Sequence, residues 1–140
     1  MFDEITYTAS SFQAQSVESY HPENVGDNKD LTAWGEGRKD DGLGEWIQMM
    51  LPMPQQLNTI SVSNGCRRPG ERYILNNRVK TARLTFSNGS TQDISLKDTE
   101  AKQVVTFRPV RTSSIRLTIL SIYKGKIGNL TCITELHPGR

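Results

Sequence analysis

Between Asn24 and Gly37 the chain runs through a stretch rich in hard oxygen donors. Asp27, Asp30 and Thr32 stand close together in it. The carbonyls of so polar a loop can turn inward beside them. This is the donor mix that calcium takes, typically about six to eight oxygens. Little of the stretch is apolar, so it is expected to be neither strand nor buried helix. Trp34 is the exception, a large ring expected to pin the loop to a core.

A second group of chemically able side chains follows. Arg67, Arg68, Arg72, Arg78, Lys80 and Arg83 share one window in which Glu71 is the opposing acid. Such a run reads as a solvated face or, alternatively, as an anion-binding site. Residues 64–78 show no clear element of their own, and an irregular stretch of this length is expected to carry function. Its arginines, the Tyr73 ring and the amides of Asn76 and Asn77 are groups that bind hydroxyl-rich or anionic small ligands.

Other residues are weaker candidates. Asp40 and Asp41 form an acid pair, but in a Gly-rich, charge-mixed turn they read as solvated loop residues. Cys66 lies beside two arginines that would lower its pKa. Cys132 sits in an apolar alternation and reads as a buried thiol. Two free thiols are expected, because a disulfide scaffold carries more cysteines at closer spacing. His21 and His137 are available as bases, yet nothing in the sequence brings either to a thiol. The loop after Asp27 places Lys29 and Leu31 at alternate positions, which excludes an EF-hand. No P-loop, dinucleotide fingerprint, His-Glu-x-x-His, Cys-x-x-Cys or Gly-x-Ser-x-Gly is present.

The elements that must position these groups are short strands. The 140 residues fit one domain over 1–140, and a chain of this size buries roughly 68–70% of its unfolded surface. Mean hydropathy is −0.53, and no run approaches a membrane span. The acidic N-terminus does not read as a signal peptide, so any targeting segment would lie outside this sequence. The net charge of +2 is too small for bulk nucleic-acid binding. Alternating, β-branched runs predict strands over 5–9, 45–51, 57–63, 79–86, 91–96, 102–107, 113–123 and 130–136. Pro52 and Pro54 are expected to end the second and Pro109 the sixth. Pro22, Glu23 and Gly26 predict one helical turn ahead of the Asp27 loop. The fold class that follows is all-β, a sandwich of about eight antiparallel strands.

With these residues in order, the sequence resembles the galactose-binding-like, discoidin-type domains, which include the family 32 carbohydrate-binding modules. The features are the Asp27 loop ending in Thr32-x-Trp34, the Gly44–Ile47 strand and the closing Ile133–Leu136 strand. It is most similar to the bacterial glycan-binding, translocation-associated domain of secreted NAD glycohydrolases. There the matching pieces are residues 42–47, Asn64-Gly65, Tyr73 to Arg78, the turn at 86–89, Leu96 with Asp98, and Tyr123-x-Gly125. The resemblance implies a jelly-roll sandwich, no catalytic centre, and a structural calcium in many members. Carried over, the ion's ligands are Asp27, Asp30 and Thr32 with nearby carbonyls, and Glu135 from the last strand. Asn28 replaces the usual glycine after Asp27, and Lys29 puts a cation beside the site. Without an ion, Asp27 and Thr32 would instead hydrogen-bond the backbone.

Ligands in such folds sit on loops at one end, which makes Arg67, Arg68, Tyr73, Asn76 and Arg78 the candidate binding residues. Trp46 reads as core, and the Asn77-Arg78 pair reads equally as ligand-binding or as a tie between loop and sheet. The expected function is a non-catalytic glycan-binding module of a bacterial secreted or surface protein, its ligand a glycan or another hydroxyl-rich or anionic molecule. The alternative is a scaffold domain whose basic loop meets an acidic protein partner.

Overall fold

The computed structural model describes residues 4–13, 20–29, 31–38, 40–66, 72–127 and 129–140. Its strands are β1 (Thr6–Ala9), β2 (Trp34–Gly35), β3 (Trp46–Asn64), β4 (Asn77–Phe86), β5 (Thr91–Ser95), β6 (Gln103–Tyr123) and β7 (Thr131–Gly139). A 3-10 turn over Pro22–Gly26 and a single α turn, α1 (Arg72–Leu75), complete the elements.

The prolines bend strands rather than end them. Two pairs of expected strands fuse into β3 and β6, because each long strand passes from one layer of the sandwich to the other. The β3–β6 ladder breaks register between Met50 and Gln55 and again between Leu57 and Thr59. Pro52 and Pro54 stand in the first break and Pro109 opposite the second, where a missing N–H costs no ladder bond. The count among the described residues is therefore seven strands, including the unexpected β2, which pairs Trp34 with Ile133 of β7. One short pairing is parallel, Asn77 and Arg78 of β4 against Thr131 and Cys132 of β7.

The first layer is β1, the start of β3, the end of β6, β4 and β5. The second is the start of β6, the end of β3, β7 and β2. Period-two alternation sends Ile47, Met49, Leu84, Ile115, Leu117 and Ile119 inward from the first, and Ile60 and Val62 from the second, where Ile133 and Leu136 also face in because a register shift at Thr134 separates them. Burying each such side chain contributes about 1.5–3 kcal/mol. Trp34 joins this core fully buried, and its Nε1 donates to the Ser11 carbonyl at 2.9 Å, so the Asp27 loop is pinned as its sequence implies. Trp46 is not core. It lies half-buried on the outer face of the first layer, where even-numbered β3 residues point, with the Arg116 guanidinium 3.7 Å from its ring centre.

Cys66 and Cys132 form a disulfide, against the expectation of two thiols. Their 66-residue separation hides a close approach: the ends of β3 and β7 run side by side, and Gly65 N donates to the Cys132 carbonyl at 3.1 Å. The bond removes Cys66 as a reactive thiolate. It closes a loop whose entropic constraint is worth about 4 kcal/mol.

Candidate functional site

Three loops meet at one end of the sandwich: residues 40–42, the stretch around α1, and residues 124–127. Asn77, fully buried at the start of β4, holds them together. Its Nδ2 donates to Asp41 Oδ1 and to Thr131 Oγ1, each at 3.2 Å, and its Oδ1 accepts Gly125 N at 2.8 Å. Lys126 N and Ile127 N donate to the carbonyls of Ile74 and Leu75. Asp41 also takes the Lys124 ammonium at 2.5 Å, which holds its carboxyl below the usual range. Asp41 is thus a structural tie and not a merely solvated loop residue, and Asp40 is paired with Arg38.

Where α1 meets the start of β4 lies a saturated charge cluster. Arg78 is buried and grips Asp98 with two bonds, Nε to Oδ1 at 3.1 Å and NH2 to Oδ2 at 2.9 Å, while NH1 donates to the Asn76 carbonyl. Tyr73 donates to Asp98 Oδ1 at 2.5 Å, and its ring lies 5.0 Å below the Arg78 guanidinium. Hydrogen bonds from Arg78 hold Asp98 below the usual carboxylate range. Gly65, at φ +74, packs so closely on Tyr73 and Arg78 that a Cβ would meet the ring at 2.8 Å.

These partners turn Tyr73 and Arg78 inward. Tyr73 is 6% exposed and is not the open stacking ring that the loop's composition suggests. Asn76 stays half-exposed at the loop surface. Arg67 and Arg68 lie outside the described residues, as does Asp30. Asp98, 20 positions from Arg78, carried no chemical signal in the sequence beyond its place in a family pattern.

The second cluster joins the Asp27 loop to β7. Thr32 Oγ1 donates to Asp27 Oδ2 at 2.5 Å, and Lys29 N caps Oδ1 at 2.9 Å. Glu135 Oε1 accepts Asn28 N at 3.1 Å and lies 2.7 Å from His137 Nε2. Asn28 adopts φ +60, the left-handed region that asparagine tolerates. Glu135 Oε2 is buried with no donor. Burial first, then the Asp27 carboxylate beside it, pushes the Glu135 pKa up to about 8. The donor set suits a cation: two crowded carboxylates, one orphaned oxygen and a hydroxyl. Among the described residues no group of three or more His, Cys, Asp or Glu side chains is arranged to hold a metal.

A third carboxyl was not foreseen. Glu36 is 1% exposed, with Oε1 unpartnered and Oε2 3.4 Å from Thr131 N. It fills the space that a Cβ at Gly42, φ +79, would need. Burial is the chief cause that raises its pKa to about 7.

Known structures share this architecture. A family 32 carbohydrate-binding module of Clostridium perfringens (CpGH89CBM32-5), in complex with GalNAc-beta-1,3-galactose, superposes with a TM-score of 0.74 at 15% identity. The match covers 97% of this chain and 95% of that one. The family 32 module of C. perfringens NanJ, in complex with galactose, gives 0.71 at 19% identity over 96% and 92%. The family 32 module of AlyQ, in complex with 4,5-unsaturated mannuronic acid, gives 0.64 at 19% over 95% and 92%. No curated protein matches the chain. The sequence profile of the NAD glycohydrolase translocation F5/8 type C domain fits residues 2–138, and the chain belongs to that family.

Proposed function

We propose that the protein is a non-catalytic glycan-binding module of a bacterial secreted or surface protein, with its ligand site on the loop end around α1. The observation that carries this reading is the shared sandwich of modules solved with galactose, a GalNAc-galactose disaccharide and an unsaturated uronic acid. The local chemistry supports it. Tyr73, Arg78 and Asp98 form a rigid bed, Asn76 supplies a donor at its surface, and Arg67 and Arg68 stay candidates on the strength of the sequence. Such a site binds weakly as a monovalent contact, because few side chains are fully desolvated. The Cys66–Cys132 disulfide supports an oxidising location outside the cytosol. No helix among the described residues is long and apolar enough to cross a membrane.

Against catalysis, Asp40 and Asp41 are spent in ion pairs and Cys66 in a disulfide. Calcium belongs to the same proposal: Asp27, Thr32 and Glu135 would hold it, together with Asp30 and loop carbonyls. The ion would supply charge neutralisation for the buried carboxyls and tie the Asp27 loop to β7.

Titration with galactose, the GalNAc-galactose disaccharide and uronate oligosaccharides tests the proposal. Binding that falls at least tenfold in the Arg67→Ala/Arg68→Ala double variant, with an unchanged melting temperature, is expected. A glycan array without any binder, in calcium and in EDTA, sinks it.

A further inference from the structure

The two layers of the sandwich stay unjoined along one side. There β5 is the edge of the first layer, and residues 103–108 of β6 are the edge of the second. Two glutamines bridge the opening in the same way from opposite banks. Gln92 donates from Nε2 to the Arg108 carbonyl at 2.9 Å and accepts Arg108 N at 2.8 Å. Gln103 accepts Lys97 N at 2.9 Å and donates to the Lys97 carbonyl at 3.1 Å. Each carboxamide pairs with both main-chain groups of one residue, as a neighbouring strand would.

Between the two bridges the edges are open. Phe86 N bonds the Ser90 carbonyl and Leu96 N bonds the Lys80 carbonyl, so even-numbered β5 residues face β4. Alternation then turns the N–H and C=O of Asp93 and Ser95 outward. On β6 the bridge at Arg108 puts Thr106 and Val104 in the same outward phase. A trough of about 520 Å³ runs along Ser95 and residues 103–106.

Its charge is one-sided. Lys97 and Lys102 line the trough and Arg108 stands past its end, at the Gln92 bridge; all three are exposed and make no ion pair among the described residues. The nearby acids are largely neutralised: Asp93 is bidentate to Arg83 and Asp98 to Arg78, which leaves Glu100. Val104, 63% exposed, adds an apolar spot beside the trough.

We propose that this side binds an extended acidic peptide, which adds to the free edge of β5 as a further strand. Main-chain pairing with Asp93 and Ser95 gives it affinity. Alternate acidic side chains meet Lys97, Lys102 and Arg108, and the intervening apolar ones cover Val104. The site lies on a different strand edge from the loops proposed for glycans, and neither reading needs the other.

The test is titration of the whole chain with acetyl-(Glu-Val)3-amide and, as control, acetyl-(Lys-Val)3-amide, followed by amide NMR and hydrogen exchange. The acidic peptide is expected to shift the Asp93 and Ser95 amides and slow their exchange at least tenfold at saturation, while the basic one does nothing. Ser95→Pro removes an outward N–H that no ladder uses and is expected to abolish binding. Should that variant misfold, Lys97→Glu/Lys102→Glu, both exposed, is expected to weaken binding at least tenfold. No binding at millimolar peptide overturns the proposal. So do shifts confined to other strands, full affinity in the charge-reversed variant, or an edge occupied instead by a second copy of the chain or by a uronate oligosaccharide.

Discussion

The Arg78–Asp98–Tyr73 cluster and the Asp27–Glu135 cluster each tie segments distant in sequence, and each centres on a carboxylate. In the first, every polar atom described has a partner of opposite character: Asp98 receives two guanidinium bonds and a phenol. In the second, two acids face one another, one oxygen has no donor, and the Glu135 pKa rises to about 8. A matched cluster rigidifies by itself. A mismatched one persists only because the surrounding fold holds it, and it gains from anything that supplies positive charge. We therefore propose the first as the bed of the glycan site and the second as the place where a cation would be held.

That contrast can be broken in several ways. The largest effect is expected beside the matched cluster. Cys66→Ser/Cys132→Ser should cost about 4 kcal/mol in denaturant unfolding, since the bond closes a 66-residue separation. A loss under about 1 kcal/mol would show that the strand pairing alone holds the end of β3 to the start of β7. Next, Arg78→Met should cost about 3 kcal/mol, at the low end for a broken buried pair because the Asp98 side chain is 38% exposed. An intact melting curve with lost glycan binding would move Arg78 from bed to ligand contact.

The mismatched cluster should respond to an ion. Calcium at about 100 times its Kd should stabilise by roughly 2.7 kcal/mol, visible as a melting shift of several degrees against EDTA. Glu135→Gln should erase the shift while raising stability in EDTA at pH 8. Equal melting in calcium and EDTA for both proteins would reduce the Asp27 loop to a purely structural tie.

The pH dependence carries the same signature. Glu36 and Glu135 have folded pKa values near 7 and 8, above the ordinary 4.5. Between 4.5 and those values the folded state holds protons that the unfolded state has released. In EDTA, stability should thus fall as pH rises from 5 to 8. Glu36→Gln should remove its own share of that slope, the steeper part below pH 7, leave that of Glu135, and add up to about 2 kcal/mol at pH 8. A flat profile in the parent protein would contradict both assignments.

Much of the strand pattern was legible. Ile47 and Met49, or Ile115 and Leu117, alternate in a way that forces one face inward. The hairpin turn was equally clear: Asn88-Gly89 closes β4 onto β5 with Gly89 at φ +86. The prolines misled, because a proline marks a lost donor but does not say whether the partner strand has a break opposite it. Trp46 misled for a related reason. Apolar neighbours on both sides hid the fact that its own face is the outer one.

The candidate sites were legible as composition and illegible as geometry. Asp27, Thr32 and Glu135 could be named, but whether Glu135 finds a donor is decided by Asn28 and His137. Arg78 and Tyr73 could be named, but their inward turn is decided by Asp98, 20 and 25 residues further on. Local alternation and turn chemistry determined by themselves that the chain is a β-sandwich with a Trp-pinned loop, since those preferences act over a few residues. The tertiary structure alone decided the Cys66–Cys132 bond, the inward turn of Arg78, the buried Glu36 and the open edge of β5. Each depends on which strand ends lie side by side, and that is fixed by packing over separations no local pattern records.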